Sequence, residues 1–339
     1  MDKIKSVFII AELSANHGGK IEIAIESIKA IKRTGADAVK LQTYTPDTIT
    51  LDSDNDDFLI KGGTIWDNQK LHDLYQEASL PWEWHEELFR VAKEEGLICF
   101  SSPFDSTAVD LLESLDCPIY KIASLEITDI PLIEYVAKKG KPIILSTGIA
   151  NFDDIDLAIN TIRKNGVTDI TVLKCTTAYP TPIEESNLIM MKQMEKDFDV
   201  KVGLSDHTLG IVTPVVSVAL GATMIEKHFI LDKNIGGPDA SFSLDEKEFT
   251  EMVRSVRDAE KSIGIIDYNL TEKQKIGKTF ARSLYVVEDI AKGEKISTIN
   301  VKSIRPGYGL HPKHFKEVLG KTANIDLKKG DRLTFDIIS

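Results

Sequence analysis

A (β/α)8 barrel followed by a small β-rich domain is the fold this sequence predicts, on three observations. Apolar runs of strand length alternate eight times with amphipathic helical stretches over roughly 260 residues. No GxGxxG follows the first run, which disfavours an open, doubly wound sheet. Beyond residue 265 the alternation gives way to short β-like runs and the turns "AKGEK" and "KKGDR".

The first strand is read as "VFIIAEL" (7–13), followed by "IEIAIESIKAIKRTG". That stretch places Ile21, Ala24, Ile25, Ile28 and Ile31 on one helical face and ends in a capping glycine. Strands two to four are "AVKLQT" (38–43), "LICFSS" (97–102) and "IYKIAS" (119–124). Strands five to eight are "PIILSTG" (142–148), "ITVLKCT" (170–176), "VKVGLSD" (200–206) and "TMIEKHF" (223–229). "WHEELFRVAKEEG" and "DLAINTIRKNG" repeat the helix-then-glycine pattern, and "LGIVTPVVSVALGA" reads as the crossover between the last two strands. Residues 44–80 form a connection too long to be a simple turn. Trp66 and Tyr75 favour a lid that packs, with a mobile acidic loop at 52–57, and residues 230–244 extend the loop after strand eight. The reading divides the chain into a catalytic barrel at 1–265, a linker at 266–279 and a small domain at 280–339. About 60 residues are marginal alone, so docking or dimerisation of that domain is expected.

The 339 residues are 42% hydrophobic and carry a formal charge of −12, without a long basic run, which disfavours nucleic acid and anionic membranes as partners. The first apolar run is too short to span a bilayer and does not look like a signal peptide. Cys99, Cys117 and Cys175 lie far apart with no CxxC, as expected of buried, reduced thiols in a cytoplasmic protein.

Active sites of such barrels lie at the C-terminal strand ends. Those ends present Glu12; Lys40 and Gln42; Ser101 and Ser102; Lys121 and Ser124; Ser146 and Thr147. The last three strands add Lys174, Thr176, Thr177 and Tyr179, then Ser205, Asp206 and His207, then Glu226 and His228. One polar strand end merely satisfies backbone groups, but two lysines, several hydroxyls and two histidines describe an anion site beside a metal site. His207 and His228 fall at equivalent points of adjacent strands, about 4.8 Å apart, and so could share one ion. Imidazoles with water and a nearby carboxylate suit Mn²⁺ or Mg²⁺ better than a thiolate zinc site, with Glu12, Glu226 or Asp239 as oxygen donors. Lys40 and Lys121 sit inside apolar runs and need a partner. An ion pair with Glu12 or another acid, a bound phosphate or carboxylate, and a Schiff base all remain open. Asp239 in "GGPDASFSL" could fold over a substrate, and Arg305 in "RPGYGLHP" offers a fork suited to a carboxylate or polar sugar. His17, His72, His85, His311 and His314 read mostly as surface or loop residues.

These stretches also form a known pattern. "AELSANHGG", "KLQTYTP", "YKIAS", "LSTGI", "KCTTAYPTP", "GLSDHTLG", "EKHF" and "GPD" resemble, in this order, the sialic acid synthase family. The tail from "FARSLYV" to "IRPGYGLHP" resembles that family's antifreeze-protein-like (SAF) domain, and "AELSANH", "LQTYTPDT" and "FLIKGGTIWD" are closest to its pseudaminic branch. The resemblance implies metal-dependent condensation of phosphoenolpyruvate with an amino-sugar aldehyde, releasing phosphate by C–O cleavage. In this branch the aldehyde is 2,4-diacetamido-2,4,6-trideoxy-L-altrose. It further implies that His207 and His228 hold a divalent metal, Mn²⁺ first and Mg²⁺ or Co²⁺ as alternatives. Lys40, Ser102, Lys121, Ser146, Thr177 and Ser205 match phosphoenolpyruvate-binding positions. Glu12, Gln42, Tyr179 and Asp239 match the reacting centre and sugar site. Arg305 matches an arginine that enters the partner's barrel in a domain-swapped homodimer. Thr177 stands where sialic acid synthases have asparagine, and Leu13-Ser14-Ala15 is expected to reshape the sugar pocket. The rival readings are a sialic or legionaminic acceptor, a class I aldolase-type lyase, and a carbohydrate- or ice-binding protein with an inactive barrel.

Overall fold

The computed structural model describes residues 6–61 and 63–339. These fall into two compact units, Met1–Gly264 and Ile265–Ser339. In the first, all eight expected strands are present: β1 (Phe8–Glu12), β2 (Ala38–Thr43), β3 (Ile98–Pro103), β4 (Tyr120–Ile122), β5 (Ile143–Ser146), β6 (Ile170–Lys174), β7 (Lys201–Asp206) and β8 (Met224–His228). Each pairs in parallel with the next, and β8 pairs with β1 to close the barrel. Closure sets Glu12 beside Lys40 on one side and beside His228 on the other.

The helices form where the apolar period demands them. Helix Ile21–Thr34 buries Ala24, Ile28 and Ile31 against the barrel and ends at Gly35, whose φ of 84° only glycine adopts freely. Helices His85–Glu94 and Phe152–Lys164 follow the same plan, and Val212–Ala219 is the crossover between β7 and β8. The core is the Ile, Val and Leu side chains of the strands packed on these helices.

The long connection after β2 folds rather than wandering. It holds a short helix (Pro46–Ile49), a bridge between Leu59 and Lys70, and helix Leu71–Ala78. Lys70 pairs with Asp54 and lies 3.9 Å from Asp52, both exposed carboxylates of the acidic stretch. Tyr75 packs edge-on against Tyr44, with ring centroids 5.8 Å apart.

In the second unit, β9 (Ser283–Val286) and β10 (Val301–Ile304) pair antiparallel. Leu284, Val286, Ile290, Val301, Val318, Leu327 and Leu333 make a separate small core. The two Lys-Gly turns place Gly293 and Gly330 at φ of 88° and 99°. Part of the 266–279 stretch is helical, at Glu272–Lys278, capped by Thr271. No helix among the described residues is long and apolar enough to cross a membrane.

Candidate active site

Side chains alternate along each strand, so only every second polar residue at the strand ends faces the barrel interior. Ser101 bonds outward to Thr43 Oγ1 at 2.7 Å, and Thr147 Oγ1 donates to Leu173 O. Lys174 Nζ donates to Cys175 O at 2.6 Å, and Asp206 pairs with Lys227. These belong to the barrel wall. The inward set is smaller and tightly connected.

At its centre lie two lysines and two glutamates. Lys40 Nζ is 2.6 Å from Glu12 Oε2, 3.1 Å from Glu226 Oε1 and 3.3 Å from Ser102 Oγ. Lys121 Nζ lies 3.5 Å from the same Glu226 oxygen. Of the three readings left open for the lysines, the structure shows ion pairs, of Lys40 with Glu12 and of both lysines with Glu226. Glu12 is fully buried. Burial pushes its carboxyl up to about 7 against the pull of Lys40, and the charge on Glu226 adds to the rise. For Glu226, burial works upward but Lys121 and Lys40 outweigh it, so this carboxyl sits below its ordinary value. Burial opposes the charge on Lys40, yet Glu12 and Glu226 hold its ammonium above the usual lysine range, whereas burial wins at Lys121 and lowers it.

Beside this cluster are polar atoms without partners. Ser146 Oγ and Thr177 Oγ1 are buried and make no hydrogen bond, and Glu226 Oε2 is equally bare. Gly148 lies between the hydroxyls: its N–H donates to Ser124 Oγ at 3.1 Å, and a Cβ there would stand 1.9 Å from Thr177 Oγ1. Buried polar groups in proteins are nearly always paired, so the Ser146 and Thr177 hydroxyls stand out by their unused hydrogen-bonding capacity. Ser205 is buried at the same level, in register with Glu226.

The two histidines meet as their spacing predicts, with ring centroids 5.3 Å apart. His207 Nδ1–H donates to Thr176 O at 3.2 Å, which in the neutral ring leaves Nε2 as the lone pair. His228 Nδ1 is buried without a hydrogen bond, 3.6 Å from Asp239 Oδ2. Among the described residues no third His, Cys, Asp or Glu completes a cage. Two free imidazole nitrogens with room for oxygen ligands fit a catalytic divalent cation better than a closed structural site.

Aromatic rings wall this end. Tyr179 packs on His207 at 4.4 Å, Phe242 on His228 at 5.0 Å, and Trp66 on Tyr179 at 5.6 Å. Gln42 Nε2 donates to Ser14 Oγ, and Ala15 N–H to Asp239 Oδ2, so the 13–16 turn contacts two of the expected sugar-site residues. Arg305 lies exposed in the second unit.

His85 was misassigned by sequence, and His17, a loop residue as expected, is buried rather than exposed. His85 is fully buried, with Nδ1–H donating to Pro81 O and Nε2 accepting from Thr43 Oγ1 at 2.8 Å, and His17 is buried with its ring edge-on to Trp84. Both contribute to the structure, not the surface. Sequence reasoning also passed over Glu126, whose Oε2 is buried without a partner and whose carboxyl burial pushes up to about 7. Its signal was the acid two residues past Ser124, beyond the end of a very short strand. The three cysteines are free and buried.

Comparison with known proteins gives the family. Residues 27–268 match the NeuB family, and residues 281–338 match the SAF domain. The pseudaminic acid synthase of Campylobacter jejuni (serotype O:2) is 51% identical over 97% of this chain and 96% of its own length. The N,N'-diacetyllegionaminic acid synthase of the same organism is 38% identical over 97% and 99%. The solved structure of the spore coat polysaccharide biosynthesis protein spsE from Bacillus subtilis superposes with a TM-score of 0.67 at 33% identity, covering 99% of this chain and 96% of that one. The chain therefore belongs to the NeuB family and carries a SAF domain after its barrel.

Proposed function

We propose that this protein is a pseudaminic acid synthase, a transferase that condenses phosphoenolpyruvate with 2,4-diacetamido-2,4,6-trideoxy-L-altrose to give pseudaminic acid and phosphate. The observation that carries the acceptor is the drop in identity from 51% to 38% between pseudaminic and legionaminic synthases of one organism, over equal shares of this chain. The chemistry accords with the geometry. Phosphoenolpyruvate brings a carboxylate and a phosphate, and Lys40, Lys121, Ser102, Ser146, Thr177 and Ser205 are the cations and hydroxyls that receive them. Ser146 and Thr177 reach this role with their hydrogen-bonding capacity unused.

When bound at His207 and His228, a divalent cation, Mn²⁺ in first place and Mg²⁺ or Co²⁺ otherwise, supplies Lewis-acid polarisation of the acceptor aldehyde. The protein's own groups do the rest. The lysines hold phosphoenolpyruvate with C3 towards the aldehyde carbon; its C2–C3 π pair forms the new C–C bond as the aldehyde C=O π bond opens and that oxygen takes a proton. Water adds at C2, and Glu12, held near neutrality, takes the proton it releases. The bond from C2 to the phosphate oxygen then breaks, the C2 hydroxyl becomes the keto carbonyl, and its proton departs with the phosphate. Gln42, Tyr179 and Asp239 orient the open-chain sugar, and Tyr179 and Phe242 keep bulk water from the histidine pair. Arg305 of one subunit completes the sugar site of another in a domain-swapped homodimer, and the three buried free thiols suit a cytoplasmic enzyme.

Phosphate release from phosphoenolpyruvate with Mn²⁺ tests this, across N-acetylmannosamine and the two 2,4-diacetamido trideoxy sugars, with and without EDTA. EDTA-sensitive release with the altrose sugar alone is the expected result. Release with another sugar overturns the acceptor, and release unaffected by EDTA overturns the metal.

A further inference from the structure

The turn that follows β1 holds a serine where a glycine would be at ease. Asn16 N–H donates to Leu13 O at 3.0 Å, closing a four-residue turn, and Ser14, its first central residue, has a φ of 47°. Turns with positive φ at that position ordinarily carry Gly, Asn or Asp there. The other non-glycine residues with positive φ, among those described, are Asn68, Asp116, Asn187 and Asp199, all of the types that tolerate it. Ser14 departs from that pattern, and it does so while buried. A conformation of this kind persists where the surroundings impose it, and such residues cluster at functional sites.

What the side chain reaches supplies a reason. Its Oγ accepts from Gln42 Nε2 at 3.0 Å, and its hydroxyl bonds the Asp239 carboxylate, which also accepts from Ala15 N–H at 3.4 Å. Both neighbours border the site described above. Gln42 lies two residues beyond Lys40 on β2, and so on the same face of the strand, and Asp239 Oδ2 is 3.6 Å from His228 Nδ1. A serine hydroxyl has one proton to give. With that proton directed at Asp239, the oxygen is left to accept, so the Gln42 amide turns its Nε2 towards Ser14 and its Oε1 away. No described residue donates to that Oε1.

We propose that Ser14 is a positioning residue for the acceptor: its hydroxyl fixes the Gln42 amide so that the carbonyl oxygen is held for a hydroxyl or N–H of the sugar. This rests on the reading of Gln42 and Asp239 as sugar-site residues. Glycine suits the turn better but has no hydroxyl to set that amide, and the strained serine is retained for that reason.

Two variants separate the hydroxyl from the backbone. Ser14→Ala and Ser14→Gly both remove the hydroxyl, but only glycine suits a φ of 47°. Each is expected to raise the sugar KM about five-fold, the range of one lost hydrogen bond. The value of kcat and the KM of phosphoenolpyruvate should stay unchanged, and S14G should withstand more urea than S14A. A KM rise in S14A alone makes the backbone its cause and overturns the proposal, as does a wild-type sugar KM in S14G. If S14A does not fold, S14G decides alone. Gln42→Leu tests the route. In that background S14G should raise the sugar KM by less than about two-fold, and a rise as large as in wild type overturns the proposal. An unchanged sugar KM in Q42L removes Gln42 from the sugar site and the proposal with it, whereas an impaired Q42L beside an unimpaired S14G defeats the proposal alone. The assays use whichever sugar wild type turns over, so the branch is not at stake. If it turns over none, crystal structures of wild type and S14G decide, and an unmoved Gln42 side chain overturns the proposal.

Discussion

Lys227→Met tests the most buried charge pair in the barrel wall. Lys227 and Asp206 pair across β7 and β8, with side chains only 1% and 2% exposed. Lys227 Nζ also donates to Thr208 O at 2.6 Å, and Asp206 accepts from Thr208 N–H and Oγ1 at 3.1 and 3.2 Å. Removing the ammonium leaves a carboxylate sealed in the wall with two hydrogen bonds and no counter-charge. Breaking a buried pair from one side costs about 3–5 kcal/mol. The two bonds that Asp206 keeps put the expected loss at the low end, about 3 kcal/mol. Asp206→Leu combined with Lys227→Met removes both desolvation penalties and should recover most of that loss. Urea unfolding followed by far-UV circular dichroism reads all three chains, with EDTA present so that metal binding does not contribute. A single variant within 1 kcal/mol of wild type, or a double variant less stable than the single, would refute the reasoning.

Two further outcomes follow from the site. Burial places the Glu126 carboxyl near 7, above its ordinary 4.5, so the folded chain holds that proton more tightly than the unfolded one. Its contribution to stability is therefore fullest below pH 4.5 and is lost as pH rises to about 7. Glu126→Gln should remove this slope, gaining up to about 3 kcal/mol on wild type between pH 5 and pH 8 in urea melts; parallel pH profiles for the two chains would count against it. Arg305→Ala and His207→Ala should each be inactive alone. Co-expressed, they should regain about a quarter of wild-type phosphate release, because one site in each mixed dimer is intact; activity no greater than the sum of the singles would exclude a shared site.

The fold was legible because each strand is an apolar run and each crossover has a helical period, from Val7 to Phe229. The histidine pair was legible for the same reason: equal positions on consecutive βα units become neighbours. What local pattern could not tell was which polar strand ends face inward together. Glu226 reaches both Lys40 and Lys121 across the barrel, a contact between residues far apart in sequence. Asp206 and Lys227 flank the histidines in sequence but turn outward, as alternation requires. Glu126 escaped notice because β4 is only three residues long and the acid lies past its end, in a 3₁₀ turn at Ser124–Glu126. His85 read as a surface or loop residue, yet its Nδ1 meets Pro81 O four residues back and its Nε2 meets Thr43 at the end of β2, and the second contact is beyond local pattern.

Closure of the barrel by β1 and β8 also has a bearing on how the chain is made. Glu12 leaves the ribosome more than 200 residues before His228, the residue it will lie beside. At bacterial-scale elongation rates that is roughly ten to forty seconds. Throughout that interval β1 has β2 to pair with, but its other edge is bare, and an apolar strand edge is a template for wrong partners. Lys40 likewise has Glu12 within reach long before Glu226 exists. The lysine–glutamate cluster is therefore among the last parts of the nascent protein to assemble, and the time of greatest risk is the wait for the eighth strand.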